Sequence, residues 1–170
     1  VTPGLIDLHA HVWWGGTDLS VMPDDIGGPF GVTTIVDTGS AGASTFAGFR
    51  RFVIEPAKTR VIPFLHISSI GLAGGGVGEC RNIEHVDVQQ CVRAVQEHRD
   101  LIGGIKVRAN TVAVGSNGIT PVYLARDAAD AVGLPMIVDL AYPPPSLEQI
   151  LPIMRPGDIA THMYKGYHGG

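Results

Sequence analysis

The sequence predicts an α/β fold built on a parallel sheet, and two observations predict it. Short apolar runs alternate with amphipathic stretches along the whole chain, the order expected of βαβ units. The runs cover residues 5–12, 33–38, 60–68, 102–108, 135–140 and 158–164, and several are rich in Val and Ile without strict alternation. That is the pattern of strands buried on both faces of a parallel sheet. The second observation is where polar residues fall: the runs end near His9 and His11, Asp37, His66, Lys106, Asp139 and His162. In a (β/α)8 TIM barrel every strand delivers its carboxyl end to one rim, where the active site forms. The expected fold class is therefore α/β, an incomplete TIM (β/α)8 barrel of about six βα units.

Between the runs lie helical candidates at 44–54, 86–99, 121–132 and 146–154. In the second of them Val88, Val92 and Val95 fall near helical spacing, with Gln, Arg and Glu between them, as on a helix with one buried face. The 23 glycines and 12 prolines fall between the periodic segments and read as loop chemistry. No internal repeat or linker divides the chain, so residues 1–170 are expected to form a single partial barrel domain.

Composition narrows the function classes. The chain has 170 residues, 45% of them hydrophobic and 16% charged, which suits one well-packed domain. With 12 basic and 16 acidic residues the net charge is −4, and no basic face invites nucleic acid. Cys80 and Cys91 lack the spacing of a zinc knuckle or a redox CxxC, and a chain of this size needs no disulfide. A reducing cytoplasm is the expected location. No apolar run approaches the roughly 20 residues needed to cross a bilayer, and no membrane role is expected.

The strongest motif is Pro3-Gly4-Leu5-Ile6-Asp7-Leu8-His9-Ala10-His11, followed by Gly15-Gly16-Thr17. Two histidines two residues apart on a strand point to one side, where they can hold one metal ion from two directions. The segment resembles the PGxIDxHxH signature of the amidohydrolase superfamily, and more narrowly the amidohydrolase/deacetylase branch near dihydroorotases and D-aminoacylases. The resemblance extends over nearly the whole chain. It implies a metal-dependent hydrolase barrel with zinc, or manganese, as one or two divalent ions.

Residue by residue, the resemblance assigns metal ligation to His9, His11, Lys106 and His162. Lys106 lies in Gly103-Gly104-Ile105-Lys106-Val107-Arg108, an apolar strand with no acidic neighbour in sequence. A buried ammonium tends to lose its proton, and the neutral amine can combine with carbon dioxide to form an anionic carbamate. The resemblance implies that carbamate at Lys106. His162 ends Pro156-Gly157-Asp158-Ile159-Ala160-Thr161-His162, where the family has PGDxxTH. Lys106 and His162 are the catalytic residues it implies.

The chain departs from the family at Asp139, in Ile137-Val138-Asp139-Leu140-Ala141-Tyr142-Pro143, where the resemblance expects a metal-binding histidine. A carboxylate can bind zinc or manganese through oxygen, but it weakens the Lewis acidity of the site. Asp139 thus implies either a harder second metal site or a single-metal site on His9 and His11. Arg108, two residues beyond Lys106, is a candidate fork for a substrate carboxylate, or else one half of an ion pair. Asp37 and His66 are either partners that orient ligands or polar residues of the barrel interior. His85, His98 and His168 are expected at the surface.

The family's general base is an aspartate after the eighth strand, and it opens from a small β domain; the final βα units and that flanking domain are expected to be absent here. Open strand edges would favour homo-oligomers or self-association. The leading function is hydrolysis of an amide or ester acyl bond in an N-acyl or O-acyl carboxylic acid, a small-molecule substrate. The alternatives are a dihydroorotase-like cyclic amidase and a non-catalytic relative.

Overall fold

The structure, a computed structural model, describes residues 1–74 and 76–164. Six strands form one parallel sheet in sequential order: β1 (Leu5–Ala10), β2 (Val32–Gly42), β3 (Arg60–His66), β4 (Gly104–Arg108), β5 (Met136–Asp139) and β6 (Ile159–Thr161). The sequence-based strands overlap all six. Strand β1 ends two residues earlier than expected, and β2 runs four residues further, to Gly42.

The helices connect the strands: α1 (Pro23–Ile26), α2 (Phe46–Phe49), α3 (Val88–Glu97), α4 (Thr111–Val114), α5 (Thr120–Val132) and α6 (Leu147–Ile150). The candidate helix at 44–54 is regular only at its start, because α2 passes into a π-helical turn over Arg50–Ile54. Helix α3 starts on Asp87, whose carboxylate accepts the Gln90 N–H at 2.9 Å and satisfies a first-turn donor. Helix α6 opens with a capping box between Ser146 and Gln149.

Period-two alternation sorts each strand onto two faces. Ile35, Leu65, Ile105, Val107, Met136 and Val138 join the large core against the helices, packing with Phe46, Phe49, Val95 and Ala125. Each fully buried Leu or Ile there contributes roughly 1.5–3 kcal/mol. Val36, Phe64 and Ile137, with Ile62, form a smaller cluster on the concave face, the inside of the barrel wall. Strands β4 and β5 are covered on both faces, which explains their continuous apolar runs.

The sheet is therefore an open part of a TIM-type barrel, with β1 and β6 each paired along one side. Apolar side chains stand exposed on these outer strands: Leu8 is 71% exposed, and Leu5, Ile6 and Ile159 are exposed too. No helix among the described residues is long and apolar enough to cross a membrane.

Candidate active site

The register of the sheet aligns the polar strand ends. His66 pairs with Lys106, Arg108 with Asp139, and Asp139 with Thr161, so one rim receives side chains from β3 through β6. His9 and His11 reach the same rim from β1, their ring centroids 5.6 Å apart, and the His162 ring lies 4.7 Å from that of His9. His162 follows β6 with φ +68, the left-handed conformation that an L residue rarely adopts. That turn brings His162 Nε2 to 3.3 Å from Asp139 Oδ2. Asp139 Oδ1 accepts the Ala141 N–H at 3.0 Å. His9, His11, Arg108, Asp139, Tyr142 and His162 line a cleft of about 360 Å³.

Lys106 lies beneath this rim and is 1% exposed. Its Nζ has no hydrogen-bond partner among the described residues. The space for its stem is made by Gly39 on β2, where a Cβ would come within 2.5 Å of Lys106 Cγ.

Electrostatics favour neutral imidazoles and a reactive amine. Burial, with the charges of Lys106 and His162 close by, lowers His9 to about 4. His11 falls to about 3 by burial and by the charges of Lys106 and His9. Burial brings Lys106 down to about 8 against the attraction of Asp139. Burial alone would raise Asp139, but its hydrogen bond to His162 and the Lys106 charge hold it well below the usual carboxylate range. The orphaned amine and the neutral histidines are a donor set that a divalent ion and a lysine carbamate fit.

Behind the rim lies a residue that sequence reasoning missed. Glu79, 1% exposed, accepts two hydrogen bonds from Arg108, Nε to Oε1 at 2.7 Å and Nη2 to Oε2 at 2.6 Å. Burial pushes Glu79 up, yet Arg108 and His66 together hold it at about 2. The only sequence signal was a lone carboxylate in a glycine-rich loop. His66, Glu79 and Cys80 have ligand atoms within 4.8 Å of one another, but their chemistry opposes a cation. The Ser68 N–H donates to His66 Nδ1 at 3.0 Å, which leaves the ring proton on Nε2, 3.1 Å from Glu79 Oε1. Both Glu79 oxygens already face a guanidinium, and burial pushes the Cys80 thiol up. The cluster is an ion-pair network that fixes Arg108 at the cleft wall.

Asp37 is fully buried and accepts from Val12 N–H at 2.8 Å, Ser40 N–H at 2.8 Å and Ser40 Oγ at 2.7 Å. Burial pushes its carboxyl up and these hydrogen bonds pull it back. Of the histidines expected at the surface, His85 and His98 are half-buried. His98 packs on Phe46 at 4.8 Å, and its Nδ1 lies 3.2 Å from Arg50 Nη1, a correction that follows from the helix packing of α2. His168 lies outside the described residues.

No protein-family model matches the chain. The chain is 44% identical over 170 residues to Deacetylase Atu3266 of Agrobacterium fabrum, across 99% of this chain and 42% of that protein. A deacetylase of Enterococcus faecalis is 34% identical over 171 residues, across 100% of this chain and 46% of its own length. The chain thus spans less than half the length of these curated relatives. Among solved structures, a dihydroorotase superposes with a TM-score of 0.95 at 43% identity and an adenine deaminase with 0.93 at 34%, each over 99% of this chain and 45% of the other. With its HxH strand, its polar rim and these neighbours, the chain belongs to the amidohydrolase superfamily.

Proposed function

We propose that this chain carries the metal-binding half of a metal-dependent hydrolase that cleaves an amide or ester acyl bond in an N-acyl or O-acyl carboxylic acid. One observation carries the reading: four potential ligand side chains, on or just past β1, β5 and β6, converge on one cleft above a buried lysine whose amine has no hydrogen-bond partner among the described residues. His9, His11, Asp139 and His162 would hold one or two divalent ions, zinc or manganese, together with Lys106 as its carbamate. Carbamate formation joins the Lys106 nitrogen to the carbon of carbon dioxide and releases one proton from the amine. When bound, the metal supplies Lewis acidity, polarising the scissile carbonyl and lowering the pKa of water.

This chain's own residues shape that chemistry. Neutral His9 and His11 offer lone pairs at physiological pH. Glu79 fixes the Arg108 fork at the cleft wall, where its charge suits the carboxylate of a small-molecule substrate. Residues 1–170 form one partial barrel domain of the longer protein in this reading. The buried, unpaired Cys80 and Cys91 suit a reducing cytoplasm, and the exposed apolar residues of β1 and β6 suit self-association. A cyclic amidase remains the second reading, favoured by the likeness to the dihydroorotase structure.

The test is metal per chain by plasma mass spectrometry, on protein produced with zinc or manganese and bicarbonate, beside a His9→Ala control. Metal in the wild type and its loss in the control are expected. No metal in either, or equal metal in both, would overturn the reading.

A further inference from the structure

The side chain facing His11 Nδ1 is Ser40, at 3.1 Å from Oγ, and not the Asp37 carboxylate three residues before it. Ser40 is itself fully buried and its Oγ lies 2.7 Å from Asp37 Oδ2. The backbone N–H groups of Val12 and Ser40 donate to Asp37, one to each carboxylate oxygen. A hydroxyl has one proton, and beside a carboxylate that already accepts two N–H donors it donates that proton to Asp37. Its remaining lone pairs then face His11, and only a protonated Nδ1 can meet them.

We propose that Ser40 is a positioning residue that links Asp37 to His11 and fixes the His11 ring as the Nδ1–H tautomer, leaving the Nε2 lone pair for the cleft. The role of His11 as a ligand rests on the reading above, but the tautomer does not. The local backbone is built for this link. Gly39 takes φ +88, a conformation that favours glycine, and the turn returns both the N–H and the hydroxyl of Ser40 onto Asp37. Val12, just past β1, is tied to the same carboxylate, so one buried anion sets both the strand end that bears His11 and the ring itself. His9 differs: its Nδ1 meets Thr161 Oγ1 at 2.7 Å, directly across from β6, with no carboxylate behind the hydroxyl among the hydrogen bonds described. A ring whose far nitrogen is held in this way keeps its tautomer and orientation, and partners of this kind are worth about 10–100-fold in metal affinity.

The experiment uses the full 170-residue chain, free of metal, with ¹⁵N-labelled histidine near pH 7.5. Long-range ¹H–¹⁵N correlation spectra separate a protonated ring nitrogen from an unprotonated one, and His11→Gln assigns the signals. The expected result is His11 with a protonated Nδ1 and a bare Nε2, loss of that bias in Ser40→Ala, and its return in Ser40→Thr. Zinc affinity, read by competition with a chromophoric chelator, should fall about 10–100-fold in Ser40→Ala and recover in Ser40→Thr. A wild-type His11 protonated on Nε2, or a Ser40→Ala spectrum unchanged from wild type, would overturn the proposal. The expected tautomer in a wild type that takes up no zinc would uphold the Ser40 assignment and overturn the metal reading instead.

Discussion

Asp139 on β5 and His162 beyond β6 face each other across the cleft mouth, carboxylate Oδ2 to ring Nε2 at 3.3 Å. Both residues line the cleft together with His9 and His11. A carboxylate here neutralises charge and holds the His162 ring, two things a histidine in its place would not do. Asp139→His is expected to change both the metal bound per chain and the pH dependence of any turnover in a longer protein. Metal analysis beside an acyl-hydrolase pH profile checks it, and no change in either would remove Asp139 from the ligand set.

Lys106 opposes stability in the metal-free chain, because its amine is buried without a hydrogen bond among the described residues. Lys106→Met keeps most of the stem under Gly39 and removes the polar atom, so it should raise stability by about 1–2 kcal/mol. Urea unfolding measures this. With ¹³C-bicarbonate the wild type is expected to show a carbamate signal in its NMR spectrum, and the variant to lack it. An unchanged or lower stability would mean that the amine is paired in solution.

Glu79 predicts an acid-sensitive contribution. Its pKa is held at about 2 in the folded chain, below the 4.5 of an ordinary glutamate, so the unfolded chain binds more protons between those values. The stabilisation is fully present above about pH 4.5 and drains away as pH falls through 2. Glu79→Gln, which removes the buried carboxylate charge that meets the half-buried Arg108 guanidinium, should cost about 3 kcal/mol at pH 7. Unfolding curves at pH 7, 4 and 2.5 should show the gap between variant and wild type shrinking with acid. A gap that stays constant would contradict the ion pair.

Gly39→Ala tests the close approach of β2 to Lys106. The new methyl would meet Lys106 Cγ at 2.5 Å at a backbone φ of +88, and a loss of about 2–3 kcal/mol is expected. Thermal unfolding reads it. Paired with Lys106→Ala, which removes Cγ but leaves Cβ at 2.8 Å and His66 Cδ2 at 3.2 Å from the new methyl, the loss should shrink only in part and stay above the backbone cost of roughly 1 kcal/mol.

The strands were legible because a buried parallel strand must be apolar on both faces, and a polar residue in such a run stands out at its end. His9, His11, Lys106, Asp139 and His162 were all visible in that way. Glu79 was not, because its neighbours in sequence are loop glycines and its partner Arg108 lies 29 residues on. Ser40 was hidden for a similar reason: in Asp37-Thr38-Gly39-Ser40 the carboxylate draws attention and the hydroxyl reads as loop chemistry.

By itself the sequence determined the class of fold, the order of the six strands, and which strand ends carry polar residues, since these follow from local hydrophobic period and residue type. Tertiary structure alone decided the partners: Arg108 with Glu79, His11 with Ser40, Asp139 with His162, and Lys106 with none among the described residues. Hydrogen bonds require a few tenths of an ångström of precision between atoms distant in sequence, and sheet register and backbone turns such as those at Gly39 and His162 supply it.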